Sequence, residues 1–347
     1  MKKPDPIFTR GSFLLGIGLM IFLSLAPVIT EEPWEDFAKA ALSRVEEKPH
    51  VRGQDSDWFF PVRELKHLGT GKYWEQEWAE VASNQADPVP SLLEFRDLLK
   101  EKGIALILVP VPPKASLYPE KLDEEFAPGD PVSTTPFWRG LQEKGLDVLD
   151  LFSSFSELRK EGDAPLLYCR QDSHYSPFAI QKVAALIVGK APDLVGKGDG
   201  SLRLGAEEEL SIVGDQVVGS EWEGKVAGET LRLQAVLEDG ERGVEPNPES
   251  PFLLLGDSHT LVFQQGKEGG MHTKGAGLLD HLSLGFGEPF DLVGVRGSGM
   301  VQARKQLFYR AAQNPGYWDS KKLVVWVFSE RELTQSIDRL ISIPLER

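Results

Sequence analysis

Residues 251–260 read PFLLLGDSHT. The run Phe252–Leu255 has no polar position, so it cannot be a strand with one wet face; it reads as a strand buried on both sides. Gly256, Asp257 and Ser258 then stop it with residues that favour turns. Outward from this point the same alternation repeats. Downstream, FDLVGV (290–295) is a second strand, GMVQARKQLFYRAAQ (299–313) a helix, KLVVWVF (322–328) a strand and SERELTQSIDRLI (329–341) a helix. Upstream, SLLEFRDLLKEKG (91–103) repeats apolar residues at helical steps and ends at Gly103. IALILVPV (104–111) is a buried strand stopped by Pro112 and Pro113, and TTPFWRGLQEKG (134–145) with LDVLDLF (146–152) is another helix followed by a strand. EDFAKAALSRVEEK (35–48) is an amphipathic helix, and SPFAIQKVAALIVGK (176–190) is one with Ser176 as N-cap and Pro177 in the first turn. Continuous apolar strands alternating with amphipathic helices predict an α/β fold: three layers, α/β/α, around a mainly parallel sheet. Residues from about 190 to 250 depart from this pattern. They are rich in Gly and acids, with alternating pieces such as ETLRLQAVLEDG (229–240), and predict a β-rich insertion.

The chain has 347 residues, 41% hydrophobic and 26% charged, a globular composition. Its formal net charge of −15 disfavours unspecific binding to phosphate backbones, and no basic stripe with interleaved aromatics offsets it. Nucleic acid is excluded as an expected partner. The single cysteine, Cys169, cannot form an internal disulfide and reads as a buried filler. From Gly11 to Thr30 no residue is charged, a length that crosses a bilayer at roughly 1.5 Å per residue. Lys2, Lys3 and Arg10 precede it, and Glu31, Glu32, Glu35 and Asp36 follow, which orients the rest of the chain outward. Ser24-Leu25-Ala26 would suit signal cleavage, but Pro27 follows at once. An uncleaved anchor over residues 1–31 is therefore preferred to a cleaved signal peptide, with residues 32–347 as one exported domain on the inner membrane, facing the periplasm.

In a doubly wound sheet, ligands gather beyond the carboxyl ends of the strands. Ser258 stands at one such end, Arg296 at another, and Lys114 follows a third. A serine attacks an acyl carbon only when a base takes its proton. Of the six histidines, His174 in LLYCRQDSHYSPFAIQ (166–181) lies two residues after Asp172. In an extended segment those side chains share a side, so Asp172 could orient the ring and stabilise its cation. His259 is the second choice of base, and Asp280-His281 is a rival pair. Asp257 is expected to hold the turn through neighbouring amides. Arg296 could stabilise negative charge on an acyl oxygen. Each feature alone has an ordinary reading: G-D-S as a turn, Asp172 as a surface acid, His174 as a core residue, Arg296 as a salt-bridge partner. A metal-dependent hydrolase built on Asp172 and His174 is another option.

These residues, with GQDSDWFF (53–60), VPVPPKASLYPEKL (109–122), DSHYSP (172–177), LLLGDSHT (253–260) and LVVWVFSEREL (323–333), give the chain its resemblance to the SGNH-hydrolase-like O-acetyltransferases of the alginate AlgJ/AlgX type. The pieces keep the family's order and span about 53 to 334. They include a D-x-H element upstream of the serine, where ordinary GDSL esterases carry D-x-x-H after it. The resemblance implies Ser258 as nucleophile, His174 as base and Asp172 as its orienting acid, with Arg296 as a weaker match to an oxyanion-hole arginine. Lys114 and Tyr118 match a recurrent K-x-x-x-Y, and Tyr175 stands where Trp is common; all three are expected at the substrate surface. His259 follows the nucleophile where an aromatic is usual. An AlgJ-like anchored enzyme is implied, passing acetyl through an acyl-serine to a polysaccharide, with a membrane-bound O-acyltransferase as supplier and no metal or organic cofactor. A carbohydrate acetylesterase with the same residues and a non-catalytic polysaccharide-binding component are the alternatives.

Overall fold

The computed structural model describes residues 32–45, 50–127, 132–162, 164–339 and 342–345. The anchor expected over residues 1–31 lies outside them; among the described residues no helix is long and apolar enough to cross a membrane. In chain order the strands are β1 (His50–Arg52), β2 (Phe59–Pro61), β3 (Ala105–Val111), β4 (Leu202–Ile212), β5 (Glu229–Glu238), β6 (Glu241–Arg242), β7 (Phe252–Gly256), β8 (Asp291–Gly294) and β9 (Leu323–Ser329). The central sheet has the order β3-β9-β7-β8 and every pairing in it is parallel. β4, β5 and β6 form a separate antiparallel sheet, the β-rich insertion the composition anticipates.

The two-residue period of a strand divides the core between the two sheet faces. Ile107, Val109, Leu254, Val325 and Val327 join one cluster with the helices Pro177–Lys190 and Leu278–Phe286. Leu106, Leu108, Leu253, Leu255, Val324 and Trp326 join the other, with Leu92, Phe95 and Leu99 of Val89–Glu101 and with Phe137 and Trp138 of Thr135–Glu143. Three layers result because a strand buried on both faces must have helices on both.

Two segments differ from the sequence reading. The strand expected over 146–152 is reduced to one parallel bridge, Leu108 to Val148. Asp150 accepts from the Ser153 amide at 3.1 Å and starts a helix, Leu151–Lys160, so the N-cap outcompetes strand extension. Of the helix expected over 329–341, the described residues 329–339 form a single turn, Glu332–Gln335, and the last two positions lie outside the described residues. The Gln335 carbonyl accepts from Arg63 at 2.5 Å and the Asp338 carbonyl from Asn84 at 2.8 Å, which takes these carbonyls out of a helical ladder.

Glu330, directly after β9, is buried and accepts from Trp138 Nε1 at 2.6 Å and Thr134 Oγ1 at 2.8 Å. Burial pushes its carboxyl up to about 8, against the lowering effect of those donors. The folded protein therefore holds a proton that the unfolded chain has lost above its ordinary value of 4.5, and this group's contribution is lost as pH rises towards 8. Glu330→Gln is expected to flatten that part of the stability-versus-pH curve. Denaturant midpoints from pH 5 to 8 measure it, and the slope removed should be at most about 1.4 kcal/mol per pH unit.

Candidate active site

Ser258 opens a short 3-10 turn, Ser258–Thr260, at the carboxyl end of β7. Asp257 holds this turn as expected: its carboxylate accepts from the His259 amide at 2.9 Å and the Ser329 amide at 2.7 Å. A side chain at Gly256 would put its Cβ 2.0 Å from the Val327 carbonyl oxygen, so glycine is what lets the end of β7 lie this close to β9.

His174 reaches this turn from the other side of the chain. Its Nε2 lies 2.7 Å from Ser258 Oγ, and its Nδ1 lies 2.5 Å from Asp172 Oδ1. Ser258, His174 and Asp172, distant in sequence, thus form one continuous hydrogen-bonded chain. The route differs from the extended segment anticipated. Asp172 Oδ1 also accepts from the His174 amide at 3.1 Å, an Asx-type turn that folds the carboxylate back onto the ring two residues on. Asp172 is buried, which disfavours its charge, but His174 and His272 beside it hold its carboxyl well below the usual range. Burial lowers the His174 pKa; the Asp172 charge and hydrogen bond overcome that and raise it above 6.5. A serine hydroxyl, an imidazole and a buried carboxylate in this order can move a proton from oxygen to nitrogen and stabilise the cation formed.

The segment carrying Asp172 is clamped from both sides. Lys114, completely buried, donates from Nζ to the carbonyls of Phe59 (2.7 Å), Arg170 (2.8 Å) and Asp172 (3.1 Å). Glu229 of β5 accepts from the amides of Arg170 and Gln171, each at 2.8 Å. The β4–β5 connection crosses the segment so closely that a Cβ on Gly214 would sit 2.1 Å from the Gln171 carbonyl oxygen. That approach lets the Asp215 amide donate to Asp172 Oδ2 at 2.9 Å.

Ser258 opens into a hollow of about 390 Å³ lined also by Pro61, Arg63, Asp215, Gln216, Gly297 and Arg331. Several expected residues lie elsewhere. Arg296 is exposed, donates to the Gly269 carbonyl and lines a different hollow with Gln306 and Arg310. Lys114, Tyr118 and Tyr175, expected at the substrate surface, are interior. Lys114 is engaged as above, Tyr118 Oη accepts from the Leu167 amide at 2.9 Å, and Tyr175 Oη donates to the His259 carbonyl at 2.6 Å. A polar group in a dry interior must find a partner, and each of these found backbone. His259, the second-choice base, pairs with Asp257 at 2.9 Å, and its ring packs 4.9 Å from that of His174. Burial lowers its pKa and so favours the neutral form of this ring beside His174. In the rival pair, Asp280 caps its own helix through the Gly277 amide, and His281 is buried.

Four residues of the site escaped the sequence reading: Asp215, Glu229, His272 and Arg331. Arg331 was accessible to it, because it follows the end of β9 at the same sheet edge as Ser258. Its Nη1 donates to Glu64 at 3.0 Å, while its Nε is buried with no partner among the described residues. The other three come from the insertion and from a loop, where no periodicity points to a distant partner. Asp172, His174 and Asp215 also bring one ligand atom each within 4.8 Å of one another, a grouping that could hold a cation.

Residues 51–330 match the family described as SGNH hydrolase-like domain, acetyltransferase AlgX. The chain is similar to the probable alginate O-acetylase AlgJ of Pseudomonas aeruginosa, 31% identical over 135 residues, which is 39% of this chain and 31% of that protein. It is similar to the corresponding AlgJ of Pseudomonas syringae pv. tomato, 30% identical over 128 residues, 35% of this chain and 32% of that one. The aligned portion thus spans about a third of the curated relatives. The fold is similar to the O-acetyltransferase domain of Pseudomonas putida AlgJ, with a TM-score of 0.57 over 83% of this chain and 93% of that one, at 18% identity. With a match running from β1 to the end of the central sheet, the chain belongs to the AlgX family of SGNH hydrolase-like acetyltransferases.

Proposed function

We propose that this domain moves acetyl groups onto hydroxyls of a polysaccharide through an acetyl-serine at Ser258. The observation that carries the reading is the 2.7 Å contact between Ser258 Oγ and a histidine already oriented by a buried carboxylate, opening on a hollow. In the first half, His174 Nε2 takes the Ser258 proton as Oγ attacks the acetyl carbon of the donor; the donor's C–O bond breaks and its oxygen leaves with that proton. In the second half, His174 takes a proton from the acceptor hydroxyl, whose oxygen attacks the acetyl carbon; the bond between that carbon and Ser258 Oγ breaks, and His174 returns the proton to Oγ. Arg331 and Gly297 line the same hollow as Ser258, and the Arg331 Nε has no partner among the described residues; on that support we assign Arg331 the stabilising role towards the developing oxyanion first expected of Arg296. The acceptor is an alginate-like exported polysaccharide, as the names of the relatives suggest. On this reading residues 1–31 anchor the domain on the outer face of the inner membrane, where a membrane-bound O-acyltransferase supplies acetyl.

The full chain, given a chromogenic acetate ester and a soluble oligosaccharide, should place acetyl on the sugar. Free acetate alone, at the same rate with and without sugar, would establish the acetylesterase instead. Activity abolished by a chelator and restored by a divalent cation would point to the Asp172, His174 and Asp215 grouping as a metal site.

A further inference from the structure

We propose that His272 is a positioning residue for the acetyl transfer proposed above, on which this inference rests: it holds Asp172 in the rotamer that serves His174. The Asp172 carboxylate receives two hydrogen bonds on each oxygen. Oδ1 takes the amide and Nδ1 of His174. Oδ2 takes the Asp215 amide at 2.9 Å and His272 Nε2, also at 2.9 Å. His272 is thus the second histidine on one carboxylate, arriving from the far side of the chain of groups that ends at Ser258.

Its loop is built to deliver the ring. Between Ser258 and the helix Leu278–Phe286, the chain closes on itself through Phe263, whose amide donates to Met271 and whose carbonyl accepts from Ala276, both at 3.0 Å. Phe263 and His272 both have left-handed backbones, with φ of 58° and 65°. Such a φ is tolerated by histidine but is an outlier for a bulky aromatic, and it persists only where the surroundings over-determine it. The two rings then pack with centroids 5.3 Å apart. Phe263 is completely buried, so it anchors the loop while His272 reaches Asp172.

Removal of this donor leaves a buried carboxylate oxygen with one partner instead of two. Rotation about the Cβ–Cγ bond then relieves Oδ2 at the expense of the Oδ1 contact that orients His174. Loss of this contact should lower kcat with little change in KM, because no atom of His272 is assigned a contact with acetyl or sugar.

The test compares His272→Ala and His272→Gln in the full chain with the chromogenic acetate ester and oligosaccharide. His272→Ala is expected to lower kcat by about 10-fold or more with KM within about 2-fold, the range typical of partners that orient a working ligand. The downfield proton resonance of the His174 Nδ1–H on Asp172 should move upfield in the same variant. Glutamine, whose amide N–H can reach Oδ2, should restore most of both. A wild-type kcat and unmoved resonance in His272→Ala overturns the inference. So does equal impairment of both variants with the resonance unmoved, which would make His272 a loop pin. If His272→Ala fails to fold, His272→Asn, polar but too short to reach Oδ2, takes its place against His272→Gln under the same criteria. Ser258→Ala run alongside separates the two failures: if it is inactive while His272→Ala is unimpaired, only this inference falls, whereas wild-type transfer by Ser258→Ala overturns the catalytic reading itself.

Discussion

Ser258→Ala is expected to lower kcat for acetyl transfer by about 10³-fold or more, with the protein folded and its melting temperature little changed. The size follows from chemistry. Without the hydroxyl, His174 has no nucleophile to activate, and acetyl can pass only by direct attack of an acceptor that the site was not arranged to activate in one step. The small structural effect follows from the turn, which Asp257 and Gly256 hold independently of the Ser258 side chain. The measurement has two parts. Steady-state transfer to the oligosaccharide gives the fold-change. Brief incubation of the wild type with the acetate ester, followed by peptide mass spectrometry, should place the acetyl on Ser258. Acetyl found on Lys114, buried beside the Asp172 segment, would contradict the assignment; its Nζ donates to three carbonyls, which disfavours attack from there. A Ser258→Ala protein that still complements a strain defective in polysaccharide acetylation would support a binding role for this domain instead.

The sheet was legible in the sequence because its strands are continuous apolar runs, a pattern with few other solutions. FLLLG, LVVWVF and ALILVPV each become a strand with alternate residues in the two core clusters. That Ser258, His174 and Asp172 come together was legible too, since chemical type and the strand-end rule together narrow the candidates. What the sequence hid is the fabric that orients them. Glu229 and Asp215 sit in an insertion whose exposed, acid-rich strands carry weak patterning, and their carboxylates accept from the backbone amides of Arg170 and Ser173, 59 and 42 residues away in the chain. Backbone partners leave no mark on composition. Lys114 shows the opposite error. A charged residue after a strand end reads as a surface contact, yet the gap between β2 and the Asp172 segment presents three carbonyls, and an ammonium buried among them is satisfied. Arg296 and Arg331 both follow sheet strands, and only the packing of the loops decides which one faces Ser258.

Asp172→Asn is expected to cost about 10³- to 10⁴-fold in kcat/KM and to shift its pH dependence. The wild-type carboxylate accepts from His174 Nδ1, which leaves Nε2 as the lone-pair atom facing Ser258 Oγ. An asparagine can turn its NH₂ to Nδ1 and favour the tautomer with the proton on Nε2, which cannot take another from serine. The pH shift has a definite sign. Burial alone lowers the His174 pKa, but the negative charge of Asp172 and its hydrogen bond outweigh burial and raise it above 6.5. The base works only when neutral, so wild-type kcat/KM should climb with pH through a midpoint above 6.5. With the charge gone and burial unchanged, the midpoint in Asp172→Asn must move to lower pH. The same pair makes an opposed contribution to stability at the two ends of the pH scale. The Asp172 contribution is present above its ordinary 3.8 and is lost as pH falls through its lowered folded value. The His174 contribution is complete below 6.5 and is lost as pH rises through its raised folded value. Rate profiles of both proteins between pH 5 and 9, with NMR titration of the His174 ring, measure the shift. A midpoint that stays in place, or rises, in the asparagine variant would mean that Asp172 does not set the charge state of the base.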